Sequence, residues 1–309
     1  MSFTRRGFGS LAWCCWLCTL PFLAPLPAGG ALLGQEAINT GRAADPGAAI
    51  RIFARTGSLR ITAWSKDSVA VRGRVDSTAG RFLLAGGGAA VKLGVEPPTG
   101  KDPDGTSDLD VQVPAGARLW VKSTAGDVEI VAGGGSVEVS NGSGRVRVAG
   151  RAGSVSVETL DGNVELALES PSGTVRTASG TIVVRGVIRE LDASTVSGPL
   201  LVGMEGAVAR VKMETVSSEI AFKGDLEHDG RLEAQTHGGD VELRLPVRLG
   251  AAYHLVSYGG GLANELVPAS TVHKGPGKGE WTFRTGDGAA AVEVQTFKGT
   301  ITLKVRGDR

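Results

Sequence analysis

One short pattern recurs along this chain often enough to dictate its architecture. Between Val155 and Leu245, triplets such as Val155-Ser156-Val157, Val164-Glu165-Leu166, Val175-Arg176-Thr177, Ile182-Val183-Val184, Leu200-Leu201-Val202 and Val241-Glu242-Leu243 follow one another, mostly with aliphatic flanks and often with a polar or charged centre. That alternation is the two-residue period of a strand with one buried face. Every second connection carries a shared signature: Thr159-Leu-Asp-Gly162, Thr177-Ala-Ser-Gly180, Thr195-Val-Ser-Gly198, Thr215-Val-Ser-Ser218 and Thr236-His-Gly-Gly239, the threonines lying 18 to 21 residues apart. Such an interval marks a repeat architecture in which each unit packs only on its neighbours.

Two arrangements satisfy this arithmetic. In a parallel β-solenoid, two strands make one coil, and equivalent strands stack about 4.8 Å apart around a dry interior. In an antiparallel meander the Asp-Gly and Ser-Gly connections are hairpin turns. The meander needs a second layer over its apolar face, and no amphipathic helix is available to supply one. The expected fold is therefore an all-β parallel solenoid, with about two strands per 18–21-residue repeat.

The solenoid reading sorts outward residues into columns. One runs Glu138, Ser156, Arg176, Asp192, Lys212, Glu233, with signs that alternate from Arg176 onward. Stacked neighbours of opposite charge contribute about 0.2–1 kcal/mol each. The other runs Glu129, Arg147, Glu165, Val183, Leu201, Ala221, Glu242, and its three central residues are apolar. Val183, Leu201 and Ala221 thus form a candidate interaction patch. It is either covered by the N-terminal strands or the 267–281 segment, or open to a partner, a second copy included.

Along the chain, residues 1–34 read as an export signal: Arg5 and Arg6 precede an apolar run from Leu11 to Leu26 and small residues at Ala28-Gly-Gly-Ala31. Thr4-Arg5-Arg6-Gly7-Phe8 also resembles the twin-arginine export consensus. Membrane contact is expected only through this segment. Residues 35–47 read as a linker, 48–113 as an N-terminal β segment and 114–309 as the repeat array. The signature skips one beat between Ser257-Tyr-Gly-Gly260 and Thr296-Phe-Lys-Gly299, and the proline- and glycine-bearing stretch 267–281 within that gap is expected to project as a loop.

Composition excludes several function classes. A net charge of +1, from 33 basic and 32 acidic residues, gives no pull toward nucleic acid. All three cysteines, Cys14, Cys15 and Cys18, fall within the signal region, so the processed chain suits an oxidising compartment. The sequence lacks the G-x-S-x-G, P-loop and H-E-x-x-H motifs, and its histidines, His228, His237, His254 and His273, show no metal-ligand spacing. Asp102-Pro-Asp104-Gly-Thr-Ser-Asp108 lacks the distal glutamate of a calcium loop and reads as a solvated acidic turn. No catalytic residue, metal or cofactor is expected. Tyr253, Tyr258 and Trp281 cluster near the disturbed repeat, and aromatic rings there are candidates either for stacking on sugars or for packing on the 267–281 segment.

Three features together resemble a known family: Gly57-Ser-Leu-Arg-Ile-Thr-Ala-Trp64 followed by Val69-Ala-Val-Arg-Gly, then Asp108-Leu-Asp-Val-Gln-Val-Pro114 leading to Leu119-Trp-Val, and the repeated Thr-x-Ser/Asp-Gly units. From residue 48 onward the chain is similar to bacterial β-strand-repeat proteins classed as "putative adhesins" within a domain of unknown function. The resemblance implies an exported, solenoid-like envelope protein with no established catalytic residues. The expected role is non-enzymatic contact with an envelope or cell-surface component, a glycan among the candidates. A carbohydrate-active β-helix and a self-assembling envelope scaffold are the alternatives.

Overall fold

The computed structural model describes residues 34–98 and 104–307; the export-signal reading falls on residues outside these, apart from Gly34. In chain order the strands are β1 (Gln35–Phe53), β2 (Thr56–Trp64), β3 (Ser68–Asp76), β4 (Arg81–Glu96), β5 (Ser107–Pro114), β6 (Arg118–Gly133), β7 (Ser136–Ser143), β8 (Val146–Arg151), β9 (Ser154–Asp161) and β10 (Val164–Ser179). They continue as β11 (Ile182–Ser197), β12 (Leu200–Thr215), β13 (Ile220–Thr236), β14 (Val241–Leu245), β15 (Ala251–Ser257), β16 (Leu262–Asn264), β17 (His273–Lys274), β18 (Glu280–Arg284), β19 (Ala290–Thr296) and β20 (Ile301–Val305).

The central coils are parallel and in register: Val164 pairs with Ile182, Ile182 with Leu200, Leu200 with Ile220, and Ile220 with Val241. Each coil has two arms, and in β10 to β13 a single bent strand runs through the corner between them. Inward residues of both arms, among them Leu166, Ile182, Leu200, Val211, Phe222 and Leu243, merge into one dry core. Outward residues stay wet, as the two-residue period requires.

At the last three signature positions the hydroxyl ties neighbouring rungs together, whereas Thr159, Thr195 and Thr215 bury theirs without a partner among the described residues. Thr236, Thr296 and Ser257 stack on successive rungs, buried at the bend that ends one arm. Each hydroxyl accepts the turn N–H three residues on and donates to a carbonyl of the rung beneath, as when Thr296 Oγ1 accepts from Gly299 N at 3.0 Å and donates to Gly239 O at 3.0 Å. The glycine closing the turn lets rungs approach. A Cβ on Gly180, whose φ is +135°, would run into the Gly162 carbonyl below.

Both ends of the stack depart from chain order in the same way. At the start, residues 49–53 of β1 lie between β4 and β6, and β2 lies between β5 and β6. The first coil is thus sandwiched between the second and third. Antiparallel β3 then caps β5, and residues 35–43 of β1 cap β3. At the other end β19 lies between β13 and β15, and β20 between β14 and β16. Here the last coil sits one rung inside, and antiparallel β18 and β17 cap β15.

Three sequence expectations change accordingly. Residues 35–47 are not a linker but mostly an edge strand, Gln35 to Ala43 pairing with Asp76 to Ser68. An edge strand is held by its backbone, so its mainly polar sequence carries little strand signal. The 267–281 segment does not project freely: it holds a 3-10 turn at Ala269–Thr271, β17 and the start of β18, with Val267, Val272 and Trp281 packed on the core. Finally, Thr174 rather than Arg176 stands in the column between Ser156 and Asp192. Gly173 occupies the inward position where an aliphatic residue marks the other rungs, which hides the true register of that arm. Arg176 still bridges neighbours, lying 3.5 Å from Glu158 and 4.0 Å from Asp192.

Two pairs of substitutions test these accounts by denaturant unfolding. A Cβ on Gly173 would touch Ile188, Leu191 and Val155 at 3.4 Å, so Gly173→Ala should stabilise by about 0.5–1 kcal/mol, whereas Gly180→Ala should cost at least about 2 kcal/mol because two rungs must part. Thr195, whose hydroxyl is buried without a partner among the described residues, should tolerate Thr195→Val or gain up to about 1 kcal/mol; Thr296→Val should lose about 2 kcal/mol.

Candidate functional site

The outward apolar patch sits where its spacing places it. Val183 pairs with Leu201 and Leu201 with Ala221, so the three occupy adjacent rungs of one face. They line a hollow of about 220 Å³ flanked by Arg185, Lys223, Arg244 and Glu242. Neither the N-terminal strands nor the 267–281 segment covers it; both are used to close the ends of the stack. The column is ionic on either side, with Arg147 3.3 Å from Glu165 and Lys304 2.8 Å from Glu242. Hydrogen bonding by Lys304, then by Arg244, holds the Glu242 carboxyl below the usual carboxylate range.

The three candidate sugar-stacking residues are not brought together. Tyr253 points into the core and stacks on Phe283 with ring centroids 4.4 Å apart; burial pushes its hydroxyl up to about 12 despite a hydrogen bond with Thr285. Trp281 lies opposite Leu255 in the capping strand, half-buried against the core. Tyr258 alone is displayed. Its neighbour is Phe297 at 5.7 Å, and Phe297 stacks face to face on His237 at 4.9 Å.

These rings end a longer feature that spans seven rungs. The residue after each signature threonine or serine turns outward at the bend, giving in stack order Leu160, Ala178, Val196, Val216, His237, Phe297 and Tyr258. Backbone bonds align it: Val216 N–H donates to Val196 O, His237 N–H to Val216 O, and Gly259 N–H to Phe297 O. Six of the seven are apolar or aromatic, and the large ones among those six are 47% to 70% exposed. A hollow of about 300 Å³ beside the aromatic end is edged by Glu214, Gln235 and Gln295. The ridge was readable in the signature itself, one position beyond the threonine, but the adjacency of Tyr258 and Phe297 was not, because 39 residues and an intercalated coil separate them.

Ionisable groups form surface pairs. Arg189 holds the Glu227 carboxyl below its ordinary range through a hydrogen bond. His228 bonds Asp287 at 2.7 Å and His254 bonds Glu280 at 3.3 Å, each as a single pair. Among the described residues no three histidine, cysteine, aspartate or glutamate side chains gather as a metal site would require. Asp108, from the acidic loop, accepts instead from the Ser58 hydroxyl at 2.6 Å; Asp102 lies outside the described residues.

No curated protein matches the chain. It is similar to a solved structure described as a putative adhesin from Bacteroides fragilis, at 12% identity over 88% of this chain and 97% of that one, with a TM-score of 0.42. A second, described as a putative cell adhesion protein from Clostridium sporogenes, shares 10% identity over 88% of this chain and 100% of that one, with a TM-score of 0.23. Residues 106–304 match the family profile described as Toastrack DUF4097, and with the greater part of its length so matched, the chain belongs to the Toastrack DUF4097 family.

Proposed function

We propose that this protein is an exported, non-enzymatic component of the cell envelope that works by contact, its solenoid holding a rigid apolar ridge against another envelope component. The observation that carries this reading is the ridge of Leu160, Val196, Val216, Phe297 and Tyr258, each exposed and each fixed to its neighbours by the rung ladder. A contiguous exposed apolar strip on a soluble surface marks an interaction site more often than chance. Rigidity lowers the entropy lost on association. Export rests on the sequence of the leader, with Arg5, Arg6 and the Leu11–Leu26 apolar run, and on the confinement of every cysteine to it.

The carbohydrate-active alternative requires a general acid whose pKa is raised. Among the described residues the perturbed carboxyls move the other way: Asp76, Glu227, Glu242 and Asp287 are all held below their ordinary range by hydrogen bonds.

Fractionation should place the processed chain in the envelope, and the purified protein should co-sediment with isolated envelope fragments. Val216→Asp and Phe297→Asp should abolish co-sedimentation while changing stability by under about 0.5 kcal/mol, as exposed positions do. Undiminished co-sedimentation would remove the ridge from the proposal. Release of reducing sugars from the fragments would turn the reading to an enzyme, and concentration-dependent light scattering lost in the same variants would turn it to a self-assembling scaffold.

A further inference from the structure

The opposite end of the solenoid holds a second surface, independent of the ridge and built differently. On the outward face of β1, β6, β7 and β9, a depression of about 560 Å³ is lined by Arg51, Arg118, Trp120, Ser136, Glu138 and Ser156, with Phe53 at one side. Its volume lies in the range of small-ligand sites. It exists because a bulky rung stands beside short serines: Trp120 pairs with Glu138 and Glu138 with Ser156, while Ser136 pairs with Ser154, so the indole and Glu138 rise beside a shelf of serines.

The ring is held before any ligand arrives. Phe53 meets Trp120 edge-on at 5.2 Å, and Trp120 Nε1 donates to Glu138 Oε1 at 3.1 Å across the rung. Arg51 stands opposite Trp120 in the ladder, and Arg118 lies two residues before Trp120 on the same strand.

Two guanidiniums on this face are left for a ligand. Several elsewhere are matched across rungs, as in Arg60 to Glu129 at 3.0 Å, Arg147 to Glu165 at 3.3 Å and Arg151 to Glu169 at 2.8 Å. Arg51 and Arg118 make no ion pair among the described residues: the ladder neighbours of Arg51 are Lys92 and Trp120, and Arg118 pairs with Ala49. Lys92 sits 5.2 Å over the Phe53 ring, adding a third cation to the same corner. Like charges on facing rungs destabilise a sheet; the carboxylates nearby are engaged elsewhere, Glu96 lying 3.8 Å from Lys92 and Glu138 accepting from the indole.

We infer that this depression binds an acidic glycan, a pyranose bearing a carboxylate. The two guanidiniums supply planar forks that match a carboxylate. The indole offers an apolar face for the C–H side of the ring, and the serines and Glu138 meet hydroxyls. A nucleic acid fits less well. Strand recognition uses successive stacking rings along a cationic track, whereas here Phe53 meets the indole edge-on and a carboxylate is bonded to its nitrogen.

The test titrates the processed chain with trigalacturonate and with sialyllactose, following tryptophan emission and calorimetric heat. Saturable, salt-sensitive binding to at least one is expected, with maltotriose inert. Arg51→Ala and Arg118→Ala should each weaken it about tenfold or more without lowering the thermal midpoint, and Arg118→Lys should restore only part of the loss. Because Trp120→Ala also removes packing from Phe53, the arginine variants carry the decision. Lack of saturation by both acidic probes up to about 10 mM, equal binding of maltotriose, or tighter arginine-dependent binding of an oligothymidylate would each overturn the assignment. Val216→Asp and Phe297→Asp should leave it unchanged, so this site and the contact ridge stand or fall separately.

Discussion

Everything in this molecule depends on the hydrogen-bonded ladder between parallel rungs. Once Val164 lies over Val146 and under Ile182, every other residue of the coil is committed to a column, because the backbone spacing of about 4.8 Å leaves no freedom to slide. The columns then choose their residues by environment. Inward ones become mostly aliphatic, the bend column becomes threonine, serine or, at Asn141, asparagine, and the turn column becomes glycine wherever the rung beneath comes too close for a Cβ. What remains outward is free of packing demands, and those positions can be given over to contact and recognition.

The price of a ladder is its two ends, each a row of unpaired backbone groups that invites addition of another strand. Here both ends use one solution. A pair of antiparallel strands closes the stack, and the chain's own first and last described coils are slotted one rung inside, so neither can fray without disturbing neighbours on both sides. The outermost strand at the far end is β17, of two residues, including Lys274, followed at once by Gly275-Pro276. That turn is tightened by Gly275 N–H to Glu280 O and Gly277 N–H to Glu280 Oε2. A short, charged, proline-flanked edge resists pairing with another chain.

The architecture was legible in the sequence because each rung repeats the same local demand: Thr159, Thr177, Thr195, Thr215 and Thr236 report one bend five times over. What the sequence hides is whatever a rung does only once. Gly173 breaks the aliphatic rhythm and shifts the apparent register, so that Arg176 masquerades as the partner of Asp192 in place of Thr174. The edge strand from Gln35 to Ala43 needs only its backbone and so looks like a linker. The order of coils is a property of topology, and periodicity is blind to it. Tyr253, Tyr258 and Trp281, close in sequence, are sent respectively to the core, to the surface and to the cap by that topology.

Intercalation also explains why the two candidate surfaces lie where they do. Inserting β19 between β13 and β15 places Phe297 between His237 and Tyr258, turning three rings scattered over more than sixty residues of sequence into one strip. Inserting the end of β1 between β4 and β6 does the same for the depression, setting Arg51 between Lys92 and Trp120. In a strictly sequential stack β4 would face β6, and Lys92 rather than Arg51 would stand beside the indole. Each surface therefore draws on a coil that is hydrogen-bonded on both sides. A rigid frame of that kind suits recognition of an extended partner, because little further order has to be imposed when contact is made.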